Sequence, residues 1–150
     1  MKALSLTQPW ASLVAIGVKR IETRDWYTSY RGAIAIHASK GWTASDRALC
    51  NKEPFRRCLK RGHLIVETLP LGAIVAVATI DQCSLIRDPA LLRISDNERA
   101  FGNFTKGRFA WFLKDVRPLR RPVPATGALG LWWVPTDIEL EIQRQLTEAS

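Results

Sequence analysis

Residues 5–26, SLTQPWASLVAIGVKRIETRDW, force a helix and a strand into near-direct succession. Trp10, Leu13, Val14 and Ile16 recur at helical spacing, and Gly17 supplies the stop. Pro9 falls at the helix start, where a missing amide hydrogen is tolerated, and Thr7 or Gln8 is placed to cap it. Lys19, Glu22 and Arg24 then arrive where a strand should begin. In strand geometry Arg20, Glu22, Arg24 and Trp26 share one face, with Ile21 and Thr23 on the other. Two cations and a carboxylate at such a junction suit a charged cleft. They also suit an ion-pair network that pins helix to strand, and residue types alone leave both readings open. The direction of Lys19 depends on the turn after Gly17, which period-two counting does not fix.

The rest of the chain is strand-rich. Gly72–Ile80, GAIVAVATI, is a continuous apolar and β-branched run, as expected of a central strand covered on both faces. Further strands are expected at 4–6, 32–38, 108–116 and 128–134. In the 32–38 strand Ile34 and Ile36 oppose Ala33, Ala35 and His37; in 108–116 Phe109, Trp111 and Leu113 share a face. Residues 43–61 read as a broken helical segment, with Pro54 restarting the helix and Gly62 ending it. A short helix or two falls within 88–101, and Pro135-Thr136-Asp137 opens a terminal helix. Pattern alone gives a mixed α/β or α+β class, with strands enough to close a small barrel and helices packed outside.

Charge narrows the partners. Lysine and arginine number 22 against 14 acids, a net charge of +8 and a sequence pI near 9.9. The cations cluster, at Lys52, Arg56, Arg57, Lys60 and Arg61 and again at Lys106, Arg108, Lys114, Arg117, Arg120 and Arg121. The tail is acidic instead, with Asp137, Glu139, Glu141 and Glu148. Such a polarised field steers a polyanion, although a merely soluble basic surface has the same composition. Three cysteines without CxxC spacing and only two histidines, His37 and His63, argue against a zinc site. No GxSxG, GxxxxGK[ST], GxGxxG or HExxH motif is present, so no cofactor or catalytic metal is expected. No apolar run reaches the roughly 20 residues of a membrane span and no leader is visible, so the expectation is a cytoplasmic protein with reduced thiols.

The order Gly17, Lys19, Glu22, Arg24 spells GxKxxExR and resembles the signature of the ASCH domains, a branch of the PUA-like superfamily. Arg31-Gly32 followed by Ile34-Ala35-Ile36-His37-Ala38 is similar to that family's next strand. Phe109-Ala110-Trp111, Gly127 and Gly130-Leu131-Trp132 continue the likeness. It covers about Leu4 to Val134 and implies a single α+β domain over 1–150: a small mixed PUA-like β-barrel with helices outside, and residues 135–150 as a helical extension.

The resemblance also implies that the charged motif faces a ligand. Lys19 and Arg24 would then hold a phosphate or a base carbonyl, and Glu22 would accept from an exocyclic amine or act as a general base. The helix start at Gln8 and Pro9 offers a second anion site through free amides and dipole. Trp26 and Trp42 fall near the charged motif and a loop where stacking on a base would be useful, with Tyr27, Tyr30 and Arg31 close to Trp26, whereas Trp10, Trp111 and one of Trp132 or Trp133 belong to the core. His37 is by default a hydrogen-bonded core residue and a lesser site candidate.

Three functions remain. The first is a module binding nucleic acid, single-stranded RNA foremost, with Arg57, Arg108 and Arg121 on phosphates; it extends to a metal-independent ribonuclease in which Glu22 is the base and Lys19 the acid. The second is an amidohydrolase of an acylated cytidine such as N4-acetylcytidine, implied by one branch of the family. That branch has a threonine nucleophile where this chain has Glu22, which leaves neighbouring Thr23 or a Glu22-activated water. The third is a non-catalytic interaction module. Oligomeric state is not written in the sequence.

Overall fold

The computed structural model describes all 150 residues. Strand β1 (Lys2–Leu6) leads into helix α1 (Trp10–Ala15), which hands over to β2 (Ile21–Arg24) and β3 (Gly32–Ala38). Helices α2 (Ala44–Leu49) and α3 (Phe55–Arg61) precede the long strand β4 (Ala73–Leu85). Helix α4 (Asp96–Phe101), strands β5 (Phe109–Pro124) and β6 (Leu131–Trp133), and helix α5 (Thr136–Glu148) complete the chain. The strands form one sheet in the order β2-β5-β4-β3-β1-β6. Only β1 and β3 run parallel, so the sheet is mixed; it curls into a half-barrel with the five helices packed around it.

Burial follows the alternation read in the sequence. Ile34 and Ile36 of β3 join Leu4, Leu6, Val14, Ala76, Ala78, Ile80, Trp111 and Leu113 in the largest core cluster, under α1. On the opposite face Ala35, Ile74, Val77 and Val123 pack with Ile142 and Leu146 of α5. Strands β3 and β4 are therefore covered on both sides. A third cluster joins Leu13 to Phe55, Cys58, Leu59 and Phe101, tying α1 to α3 and α4. Trp111 is completely buried, as is Lys19.

The turn after α1 decides the charged motif. Gly17 has φ +81°, a conformation that side-chained residues avoid. Its N–H bonds Val14 O at 2.9 Å, while the N–H groups of Val18 and Lys19 both reach Leu13 O, at 3.2 and 3.1 Å. This tight reversal turns the Lys19 side chain inward and starts β2 two residues later.

Some boundaries differ from the sequence reading. Strand β4 continues to Leu85 and β5 to Pro124, because the pair is carried past the apolar stretch by a backbone ladder with three register shifts. The expected strand at 128–134 shrinks to Leu131–Trp133, since Leu129 lies in a fully exposed loop. Of the paired tryptophans, Trp132 is buried and Trp133 is exposed. No helix is long and apolar enough to cross a membrane.

Candidate nucleic-acid interface

Strand β2 lies at one edge of the sheet, paired with β5 so that Glu22 opposes Trp111 and Arg24 opposes Phe109. Its outer edge is capped by the segment after α4: the Asn103 N–H donates to Thr23 Oγ1 at 3.2 Å, and Arg108 Nη2 donates to Thr23 O at 3.1 Å. Between this segment, the end of β1 and the start of α1 opens a cleft of about 520 Å³. Its lining includes Thr7, Trp10, Glu22, Arg24, Trp26 and Arg108, with Ser5, Thr23, Asp25 and Asn103 also on its wall.

Glu22 sits at the centre of the charges. Its Oε1 accepts from the Thr23 N–H at 3.0 Å and lies 3.5 Å from Lys19 Nζ; its Oε2 accepts from Arg24 Nη2 at 3.1 Å. Arg24 Nη2 also donates to Ser5 O at 2.8 Å, which ties β2 to β1 across the cleft. Arg24 Nε is buried without a partner. Buried donors of this kind are costly unless something satisfies them. Lys19 is entirely buried behind Glu22 and donates to Ile21 O. The network and the cleft are thus one object, in which Lys19 and Arg24 orient a carboxylate whose outer side meets solvent.

Two indoles flank these charges. Trp26 stands edge-on against buried Trp111, with ring centroids 4.7 Å apart and planes at 87°. Trp10 donates from Nε1 to Phe101 O at 2.7 Å, which fixes its ring in the cleft wall. Glu98 of α4 closes the rear, accepting from the Arg20 N–H beside Lys19. Burial pushes the Glu98 carboxyl up, against lowering contributions from the Arg20 amide and the Lys19 charge. Its Oε2 has no partner.

The sequence-named residues do not all meet at one place. Glu22, Arg24, Trp26 and Arg108 meet at the cleft. Lys19 lies behind it, so the direct ligand contact expected of this ammonium is withheld by complete burial. Gln8 is fully buried too; its Nε2 donates to Ser12 Oγ and Pro70 O, and its Oε1 accepts from the Ser12 N–H. The Ala11 and Leu13 amides are already bonded to Thr7 O and Pro9 O. The anion site expected at Gln8 and Pro9 is therefore spent on the fold itself. Tyr30 and Arg31 point elsewhere. Tyr30 OH donates to Ala33 O and its ring meets the Lys2 ammonium at 5.0 Å, while Arg31 donates to Thr28 O and Tyr30 O. Arg57, bonded to Asn97, and Arg121, held at its backbone by Gln145, are exposed and line neither cavity.

His37 lines a second cavity, of about 400 Å³, on the other side of Ser5. Its Nε2 faces Ala125 O at 2.8 Å, so this nitrogen carries the proton; Nδ1 then accepts from Ser5 Oγ at 2.9 Å. Trp132 Nε1 donates to the same hydroxyl at 3.1 Å. Burial lowers the His37 pKa below the usual 6.5, partly offset by the Ala125 hydrogen bond.

Sequence reasoning missed Trp10 and Asn103 as cleft residues. Trp10 carried the helical spacing of a core residue, and Asn103 reaches the cleft only through the approach of α4, 80 positions from Thr23.

A curled mixed sheet ringed by short helices is the PUA-like fold of the solved ASCH structures. The ASCH domain model matches residues 4–122, and the chain belongs to that family. Activating signal cointegrator 1 of Mus musculus is 56% identical over 81 residues, 53% of this chain but 14% of that protein. Its Homo sapiens counterpart is 56% identical over 36 residues, 24% of this chain and 6% of that one. The chain thus spans a small part of these relatives' length. Among solved structures, the ASCH protein of Zymomonas mobilis superposes with a TM-score of 0.57 at 16% identity, covering 95% of this chain and 93% of that one. A single-residue variant of the same protein gives 0.54 at 14% identity, over 95% and 94%. At such identities the likeness concerns the fold.

Proposed function

We propose that this ASCH domain binds single-stranded nucleic acid, RNA foremost, by taking one base into the cleft between Trp10 and Trp26. One observation carries the reading: in a chain of net charge +8, two indoles, two carboxylates and two guanidinium groups line one cavity sized for a nucleotide. Indoles offer a stacking surface to any base, and stacking contributes about 1–3 kcal/mol per base. Glu22 supplies acceptors for an exocyclic amine, and Arg24 and Arg108 supply donors for ring carbonyls. The exposed cations outside the cleft, Arg57 and Arg121 among them, hold the backbone and add no sequence preference.

Strand cleavage has weaker support. The acid assigned to Lys19 needs an ammonium that reaches the leaving oxygen, and Lys19 is sealed behind Glu22. The acylated-cytidine reading keeps Glu22 as a base for water, while Thr23 Oγ1 is already engaged by Asn103.

The test is fluorescence anisotropy with labelled single-stranded RNA against Arg24→Ala and Trp26→Ala. Each variant should weaken binding about tenfold or more, given about 1.5–3 kcal/mol for a charged hydrogen bond and similar values for stacking. Wild-type affinity in both variants would overturn the proposal.

A further inference from the structure

The second cavity has the opposite chemistry to the cleft. Glu22 and Asp25 line the cleft, whereas no carboxylate lines the second cavity. In their place stand Lys40 and the hydroxyls of Ser5, Ser39 and Thr126, with Gly127 completing the wall. Lys40 makes no ion pair in a protein where several surface cations are paired. Its side chain lies over Gly72, where a Cβ would come 2.9 Å from Lys40 Cγ. Ser39 Oγ is buried and unpartnered, a polar group that calls for a ligand or water. Gly127 lies flat against His37, since a Cβ there would come 2.6 Å from His37 Cε1. An ammonium and free hydroxyls without a nearby carboxylate recognise a phosphate.

Ser5 forms a wall of both cavities. Its carbonyl accepts from Arg24 on the cleft side, and its hydroxyl donates to His37 on the other. The two spaces are one residue apart. We propose that the second cavity holds the phosphate adjoining the base held in the cleft, so that the ligand is a nucleotide strand crossing Ser5 rather than a free base or nucleoside. Lys40 Nζ, Ser39 Oγ and Thr126 Oγ1 donate to the phosphate oxygens. The carboxylates of the cleft repel the same group, and the ligand enters in one orientation. This inference rests on the base-binding reading of the cleft.

Titration of the 15N-labelled protein with the four ribonucleosides and with their 5′- and 3′-monophosphates tests both layers. Nucleosides should shift the Trp10 and Trp26 indole signals alone. A phosphate on one of the two hydroxyls, and not on the other, should add shifts at Lys40, Thr126 and Gly127 and tighten binding about tenfold. In Lys40→Ala the advantage of that monophosphate over its nucleoside should fall about tenfold, and Ser39→Ala should reduce it in part. Nucleosides that bind as tightly as both monophosphates, or an advantage unchanged in Lys40→Ala, would overturn the phosphate site while the cleft reading stands. Silence of the indole signals with every probe would overturn the cleft reading and this inference with it.

Discussion

The cleft and the second cavity share Ser5, yet they are built by different means. The cleft is made of charge: Glu22 is held by Lys19 and Arg24, and its walls come from β2, α1 and the segment after α4. The second cavity is made of neutral hydrogen bonds, with His37 fixed by Ala125 and Ser5 and a single unpaired cation at the rim. The cleft is thus suited to donors and acceptors of both signs, as a base edge presents, and the cavity to a purely anionic group. A shared scaffold residue allows two opposed chemistries to sit side by side without cancelling.

The largest expected effect separates scaffold from site. Trp111 backs the cleft, paired with Glu22 across the sheet, completely buried and carrying the Trp26 ring. Trp111→Ala should cost about 3–5 kcal/mol in denaturant unfolding. A midpoint equal to wild type would mean that the cleft wall does not depend on this core.

Lys19 comes next. Removing it leaves Glu22 and Glu98 short of a buried cation, and Lys19→Ala should lose about 3 kcal/mol of stability together with RNA affinity. Arg24→Ala, by contrast, should lose about tenfold in affinity with less than about 1 kcal/mol of stability, because Lys19 still faces Glu22. If Lys19→Ala instead behaves like Arg24→Ala in both measurements, the distinction between a buried organiser and a ligand contact fails.

The second cavity should announce itself through pH. His37 takes a proton less readily in the folded protein than in the unfolded chain, so its contribution to stability is present above about pH 6.5 and is lost as pH falls through its lowered folded pKa. The slope from one proton is at most about 1.4 kcal/mol per pH unit, and His37→Gln should flatten it. An unchanged slope in that variant would remove His37 as the source. The smallest effect is expected outside both cavities. Arg57→Ala and Arg121→Ala should weaken all RNA sequences alike and lower the salt slope by about 0.7 for each phosphate no longer neutralised. A change of sequence preference in either variant would place a base-reading group outside the cleft.

How far the sequence reveals this arrangement depends on the element. The apolar run at 72–80 and the alternation of Ile34 and Ile36 are direct consequences of two-sided burial, and both are legible. The extension of β4 and β5 is not, because Asp81, Gln82, Lys114 and Arg117 are exposed and the ladder there is a backbone property. The motif at Lys19, Glu22 and Arg24 is legible as chemistry, but the inward turn of Lys19 arises from the hydrogen bonds after Gly17, which no periodicity encodes. Gln8 likewise reads as a helix cap, and only its burial against Pro70 shows that its polar atoms are used up.

The central claim is that one base lies between Trp10 and Trp26, and the six indole N–H signals are native reporters of it. Titration with a short single-stranded RNA, followed by 15N–1H correlation spectra, should move Trp10 and Trp26 strongly, Trp132 weakly through Ser5, and Trp42 and exposed Trp133 not at all. Saturable binding that shifts Trp133 or Trp42 and leaves Trp10 and Trp26 unmoved would contradict the account.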